Sequence, residues 1–421
     1  MRIYSISKFK QIVSLFSANI IGIPFGFFIS IILARYLGAD TYGDYMFITN
    51  ILNLSVLLFS FGVFQAGNRA IVLSKNINEI REYYGAELVF LFCVFALISI
   101  LLVLYTFYDP NINSKGLSIT MLSILPFSWT YILIKYYEIL FQADNRIKLL
   151  AITRLSTKII FLVLISIVVY FITQINNHKL LTIFYLYITA QIIVFIYVLL
   201  KLKISFKNLK ERLKSIISFN KTFGFNVYLG SIFAVGFAQL SAILISYFGI
   251  DNSGVGFYSL ALTIAAPIGF IPNTIATSYY KDFSKFKQIP NNILSFTFAI
   301  TLPVLILSWV LINPFIMFFF GNEYESVIYL FYILSAGIML HGLADIYNRF
   351  LGAHGQGKIL RNCSFIVGSS LLLFNIFLIP IYGEIGASYT KSFTGLIYLV
   401  SIIYYYKKYK QKLIKKSNYV Q

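Results

Sequence analysis

Arg154 and Lys158 stand one helical turn apart in an otherwise apolar stretch, and Lys391 lies alone in another. An ionisable side chain at the centre of a bilayer costs at least ~2.5 kcal/mol, so such groups demand a reason. On one helix the Arg154–Lys158 pair is mildly self-repulsive. It could attract an anion, or it could sit at a membrane edge with Lys135 and Glu138 nearby. Lys391 has no acid one turn away: Ser388, Ala387, Thr394 and Gly395 occupy those positions. It therefore either snorkels outward or faces a wet cavity. His341, Asp345 and Arg349 repeat every fourth residue. Asp345 and Arg349 could form a local ion pair, whereas His341 with Asp345 could bind a coupling proton or cation. Arg69 closes a further apolar run. Asn19, Asn50, Asn53, Gln65, Asn68, Asn226 and Gln239 add uncharged polar groups that could bind sugar hydroxyls or join helices to one another.

The elements that carry these groups follow from composition. Hydrophobic residues make up 59% of the 421-residue chain and charged residues 12%, with mean hydropathy +0.80. A soluble domain has about 25% charged residues, so this chain cannot cover its surface in water. It reads as an all-α integral membrane protein. The net charge of +19 belongs to loops beside a bilayer rather than to a nucleic-acid surface. Cys93 and Cys363 lie in apolar runs and are expected as small buried hydrophobes without a disulfide. The run from Gln11 to Ala34 is as long as a span and reads as an uncleaved first helix. No phosphate-binding loop, nucleophile elbow or metal-ligand spacing occurs, and there are three histidines in all. No catalytic residue, metal or organic cofactor is expected.

Twelve apolar stretches of membrane-crossing length fall near 12–34, 45–67, 86–106, 118–139, 149–172, 180–200, 224–248, 257–279, 292–312, 327–347, 362–380 and 385–406. With the N-terminus inside, all but four of the 34 cations (Arg35, Lys115, Lys179 and Lys391) fall on one side or at its edge. Asp40, Asp109, Asp251, Glu323, Glu325 and Glu384 fall on the other. That asymmetry places both termini in the cytoplasm. Tyr36-Leu-Gly-Ala-Asp-Thr-Tyr-Gly43 returns as Tyr247-Phe-Gly-Ile-Asp-Asn-Ser-Gly254, and Ala143-x4-Lys148 returns as Ala353-x4-Lys358. One half therefore duplicates the other. Six spans per half make the repeats parallel. The expected architecture is two parallel six-helix bundles around a central cavity. Residues 1–200 form the first bundle, 201–223 a basic cytoplasmic linker, 224–406 the second bundle and 407–421 a basic tail.

The repeated local motifs have structural readings. Gly38 and Gly249 suit helix C-caps, Asp40 and Asp251 suit N-caps, and Gly43 and Gly254 relax the loop between them. Lys148 and Lys358 could meet a lipid phosphate or simply anchor to an anionic leaflet. Pro24, Pro267 and Pro272 are expected to kink helices beside the cavity.

Several of these residues carry a resemblance. Ala34-Arg-Tyr-Leu-Gly38-x4-Gly43, the Gly67-Asn-Arg69 segment, Ala353-x4-Lys358 and Asn375-x3-Ile379-Pro380-x2-Gly383-x2-Gly386-Ala387 resemble polysaccharide repeat-unit flippases. These are the O-antigen and exopolysaccharide members of the multidrug/oligosaccharidyl-lipid/polysaccharide exporter superfamily. The resemblance runs the length of the chain. It implies alternating access and a bacterial cytoplasmic (inner) membrane location. It also implies an undecaprenyl-diphosphate-linked oligosaccharide as substrate, moved from the cytoplasmic to the outer leaflet. A cationic cavity would hold the diphosphate. By charge and depth the candidates are Arg69, Arg154, Lys158 and Lys391, with Asn19, Asn50, Asn53, Asn226 and Gln239 for the sugars. His341 and Asp345 could couple transport to a proton or sodium gradient or to the membrane potential. Membrane lipids and the polysaccharide polymerase machinery are the implied partners. Two rivals stand beside this reading. One is a cation-coupled drug exporter of the same superfamily. The other is a polytopic polymerase or glycosyltransferase, which the short outward loops disfavour.

Overall fold

The computed structural model describes residues 6–74, 76–171 and 178–418. Among them every regular element is helical. The chain divides into two compact units, Met1–Ile232 and Phe233–Gln421.

The first unit contains α1 (Ile6–Leu37), α2 (Ala39–Phe59), α3 (Val63–Leu73), α4 (Ile77–Tyr108), α5 (Pro110–Ser114) and α6 (Ser118–Ile124). It continues through α7 (Trp129–Ala143), α8 (Ile147–Phe171), α9 (Lys179–Leu202), α10 (Leu209–Phe219) and α11 (Phe225–Ser231). The second unit contains α12 (Phe237–Phe248), α13 (Ser253–Ser278), α14 (Tyr280–Phe283), α15 (Asn291–Phe319), α16 (Ser326–Ala353) and α17 (Gly357–Asn418). Seven described helices are long and apolar enough to cross a membrane, and nine if each bent pair is one span. The bent pairs are α2 with α3, at 58°, and α6 with α7, at 46°. α1, the shorter apolar α12 and the two limbs of α17 are further apolar elements in the region of the spans read from the sequence. Ile100, Phe107, Leu307, Val310 and Val400 point outward, as helices surrounded by lipid require.

Breaks occur where the backbone needs glycine. Gly38, at φ 77°, ends α1 and starts α2. Its repeat partner Gly249 closes α12 in an extended conformation, φ −88°, so only the first copy adopts a backbone that favours glycine. Asp40 lies inside the first turn of α2 rather than capping it. Asp251 does organise its turn: its carboxylate accepts from the Ser253 N–H and hydroxyl just before α13. Gly43 and Gly254 both lie inside helices, not loops. A side chain at 254 would meet Glu384, so this glycine serves close packing.

The family-like run from Asn375 to Ala387 has a clear mechanical role. Gly383, φ 54° and ψ −131°, breaks α17 into two limbs. Gly386 then lies so close to the Leu378 carbonyl that no side chain would fit between them. Asn375 is fully buried; it accepts from Ser241 at 3.0 Å and donates to the Phe237 carbonyl, fastening the first limb to α12.

Glycine also brings α13, α16 and α17 together. A Cβ at Gly342 would come within 2.5 Å of Pro272, and one at Gly337 within 2.5 Å of Ser392 Cα. Lipid tails are as apolar as the helix faces, so close backbone approach rather than water exclusion drives this packing. α16 thereby lies against both α13 and the second limb of α17.

The basic segment 201–223 carries a helix of its own that packs within the first unit. α10 packs on α3 and α4. Arg212 holds Glu79 at 2.9 Å and Glu82 at 2.8 Å, and Tyr83 shares a hydrogen bond with Ser215.

Candidate functional site

Two cavities bring together most of the charged candidates, one inside each unit. In the first unit, α1, α2, α7, α8 and α9 surround about 580 Å³. Arg154 and Lys158 reach it from successive turns of α8. Arg154 donates to Glu138 on α7 at 2.8 Å, each side chain about one third exposed (33% and 31%). Lys158 donates to the Gly22 carbonyl on α1 at 2.8 Å. Gly22 and Gly26 bracket Pro24, and neither carries a side chain that would push the ammonium away. The rest of the wall sets Tyr45, Tyr137, Phe161, Tyr187 and Gln191 among aliphatic side chains and two threonines, Thr153 and Thr157. Gln191 donates to the Tyr187 hydroxyl at 2.9 Å, which stacks edge-on with Phe161. The Tyr137 hydroxyl is buried and has no hydrogen-bond partner among the described residues. Such a group is costly unless a ligand or water completes it.

The electrostatics follow from these contacts. Glu138 neutralises Arg154, which leaves Lys158 as the unbalanced charge in the lining. An ammonium has three donors, and Gly22 takes one. An anion could therefore exchange with, or add to, that carbonyl.

In the second unit α13, α16 and the second limb of α17 enclose about 450 Å³. His341, Asp345 and Lys391 all line it, with Asn273. The expected Asp345–Arg349 ion pair does not form. Asp345 instead accepts from Asn273 at 2.9 Å and from the Tyr398 hydroxyl at 3.3 Å. Asn348 donates to that hydroxyl at 2.7 Å, and His341 stacks against the same ring at 4.6 Å. Residues one turn apart on α16 are thus drawn to neighbouring helices instead of to each other. Lys391 is half-buried in this wall rather than turned out to the membrane surface.

Other candidates lie elsewhere. Arg69 is exposed on α3 and lines neither cavity. Asn50 spends its amide on the Met46 carbonyl one turn back, and exposed Asn226 does the same with Thr222. Asn53 on α2 and Gln239 on α12 are half-buried outside both linings. Asn19 is on α1, its side chain outside the described residues. Asn68 bonds the Ile139 carbonyl across helices at 2.8 Å, as a joining residue would. Lys148 and Lys358 are exposed beside tight turns made by left-handed Asn145 and Gly355. Cys363 is buried, but Cys93 is exposed on α4, contrary to expectation: an apolar run here faces lipid as often as core.

Sequence reasoning passed over Tyr45, Tyr137, Tyr187, Gln191, Asn273 and Tyr398. Gln191, deep in an apolar run, was the available signal. It also passed over Glu87, fully buried where Gly67 leaves room for it, in neither cavity.

Comparison with known proteins decides the family. The profile of the family described as polysaccharide biosynthesis protein matches residues 9–287. The chain belongs to that family. This polysaccharide biosynthesis family member is 23% identical over 405 residues to the capsular polysaccharide biosynthesis protein CapF of Staphylococcus aureus. The match covers 94% of this chain and 98% of CapF. Its fold is shared with the lipid II flippase MurJ in an inward closed conformation, with TM-score 0.74 and 15% identity over 95% of this chain and 90% of that one. An inward-facing multidrug resistance MATE transporter is also similar, with TM-score 0.71 and 13% identity, over 97% of this chain and 99% of that one. The resemblance read from the motifs is thus borne out, and the family member is a multi-pass membrane protein.

Proposed function

We propose that this protein is a flippase. It carries undecaprenyl-diphosphate-linked oligosaccharide repeat units of an O-antigen or exopolysaccharide from the cytoplasmic to the outer leaflet by alternating access. It acts in the bacterial cytoplasmic (inner) membrane with both termini inside, and delivers its product to the polymerase machinery. The observation that carries this reading is the cavity of the first unit, where one unbalanced ammonium stands among tyrosines and an amide in a polysaccharide-family membrane protein.

The chemistry would run as follows. The lipid-linked diphosphate draws the Lys158 ammonium from Gly22, exchanging a neutral acceptor for a charged one, a stronger hydrogen bond. Arg154 stays with Glu138, which keeps the site from binding anions indiscriminately. The Tyr45, Tyr137 and Tyr187 rings and hydroxyls meet sugar faces and hydroxyl groups. Release on the other side requires the bond to be modest, and Gly22 supplies the competing acceptor.

In the second unit, Asp345, His341 and Lys391 would couple transport to a proton or sodium gradient or to the membrane potential, with no organic cofactor. A carboxylate held by Asn273 and Tyr398 at a cavity wall is also what a cation-coupled drug exporter would need, and that is the second reading. Deletion of the gene distinguishes them. A flippase loss leaves carrier-linked repeat units on the cytoplasmic face. Loss of drug resistance with normal polysaccharide would favour the exporter.

A further inference from the structure

Helix α10 and the residues flanking it carry cations that no part of either cavity uses. Lys210 and Lys214 stand one turn apart on α10, Lys207 precedes it across left-handed Asn208 (φ 51°), and Lys221 follows it in the π-helical turn Asn220–Gly224. All four are exposed, and among the described residues none of their ammonium groups has an acidic, hydrogen-bonding or aromatic partner. Glu211, in the first turn of α10, pairs only loosely with Arg212, at 4.0 Å.

The opposite face is fixed. Asn208 donates to Glu82 at 3.2 Å, Arg212 grips Glu79 and Glu82, and Ser215 meets Tyr83. Ile216 is fully buried beneath them. Burial opposes the charge of Arg212, but its bonds to Glu82 and Tyr83 and the Glu79 carboxylate hold its pKa above the ordinary arginine value. The grip therefore stays charged. Beside the lysines, Phe206 and Ile217 are about half exposed, at 57% and 47%. Since α10 packs on the first turns of α4, it lies where that span enters the bilayer.

We propose that the cluster of Lys207, Lys210, Lys214 and Lys221 on and beside α10 binds the headgroups of anionic phospholipids, with Phe206 and Ile217 resting at the acyl boundary. Cations beside exposed apolar side chains are the pattern of a segment lying in the interface. The protein contacts have already ordered this one, so phosphate binding bears little further entropy cost. A segment facing only water would have no reason to hold Phe206 and Ile217 exposed among these cations.

The test uses the full-length protein in vesicles of phosphatidylcholine with phosphatidylglycerol. Spin-labelled forms of each lipid report relative association with the protein. Wild type should prefer phosphatidylglycerol. The variant with Lys207→Gln, Lys210→Gln, Lys214→Gln and Lys221→Gln should lose most of that preference, since about 1 kcal/mol for each cation near an anionic surface is roughly fivefold per lysine. Lys285→Gln with Lys287→Gln, exposed cations elsewhere, should change it little. If the fourfold variant proves unstable, the Lys210→Gln and Lys214→Gln pair alone should lower the preference several-fold. Undiminished preference in the lysine variants, or an equal loss in the control, would overturn the proposal.

Discussion

Lys158 is the residue on which the substrate reading turns. A hydrogen bond to a charged group contributes about 1.5–3 kcal/mol. Lys158→Gln should therefore lower polysaccharide export by roughly tenfold or more at unchanged protein abundance, while Lys158→Arg should retain part of it. Equal export by Lys158→Gln would make the lysine a structural clasp on Gly22. Asp345→Asn keeps the shape of the Asn273–Tyr398 contacts but removes the titratable charge. Export measured with and without an uncoupler should become insensitive to the gradient in that variant. If it responds as wild type does, Asp345 only fastens α13 to α17. Depth and charge pointed to Arg154, Lys158, His341, Asp345 and Lys391 in the sequence, because ions in apolar runs are costly wherever they fall. Their partners were not legible. Glu138, Asn273 and Tyr398 come from other helices, and helical periodicity says nothing about which helix is the neighbour.

At the scale of the element, small residues decide which helices touch. Gly337 leaves room for Ser392, and Gly395 for the Gly337 carbonyl. Gly337→Ala should lower stability by about 1–3 kcal/mol, as overpacking does. A lower midpoint in the thermal unfolding of the purified protein would show it, and an unchanged midpoint would mean the α16–α17 contact is looser than described. Arg212→Gln should release α10 and raise amide exchange across residues 204–219, with the spans unaffected. Protection equal to wild type would show that Ile216 and the Tyr83–Ser215 bond suffice. The spans themselves were legible because a membrane admits few alternatives to a long apolar helix. The breaks were less so. Gly383 was visible as a motif, but its role depends on Gly386 backing onto Leu378, a contact between two limbs of one helix. The docking of the basic segment 201–223 was not legible, because the two acids that Arg212 finds, Glu79 and Glu82, belong to a helix distant in the sequence.

On the scale of the whole molecule, family membership and fold place the chain among membrane proteins of polysaccharide biosynthesis, and charge asymmetry supports cytoplasmic termini. The central claim is directional transfer of a carrier-linked oligosaccharide. Its most direct measurement is the leaflet position of repeat units in cells lacking the gene, read by a membrane-impermeant sugar-modifying enzyme before and after the membrane is opened. The account predicts that accumulated repeat units are protected until opening, and that wild-type protein restores their exposure while Lys158→Gln does not. Repeat units already accessible on the outer leaflet without the protein would contradict it.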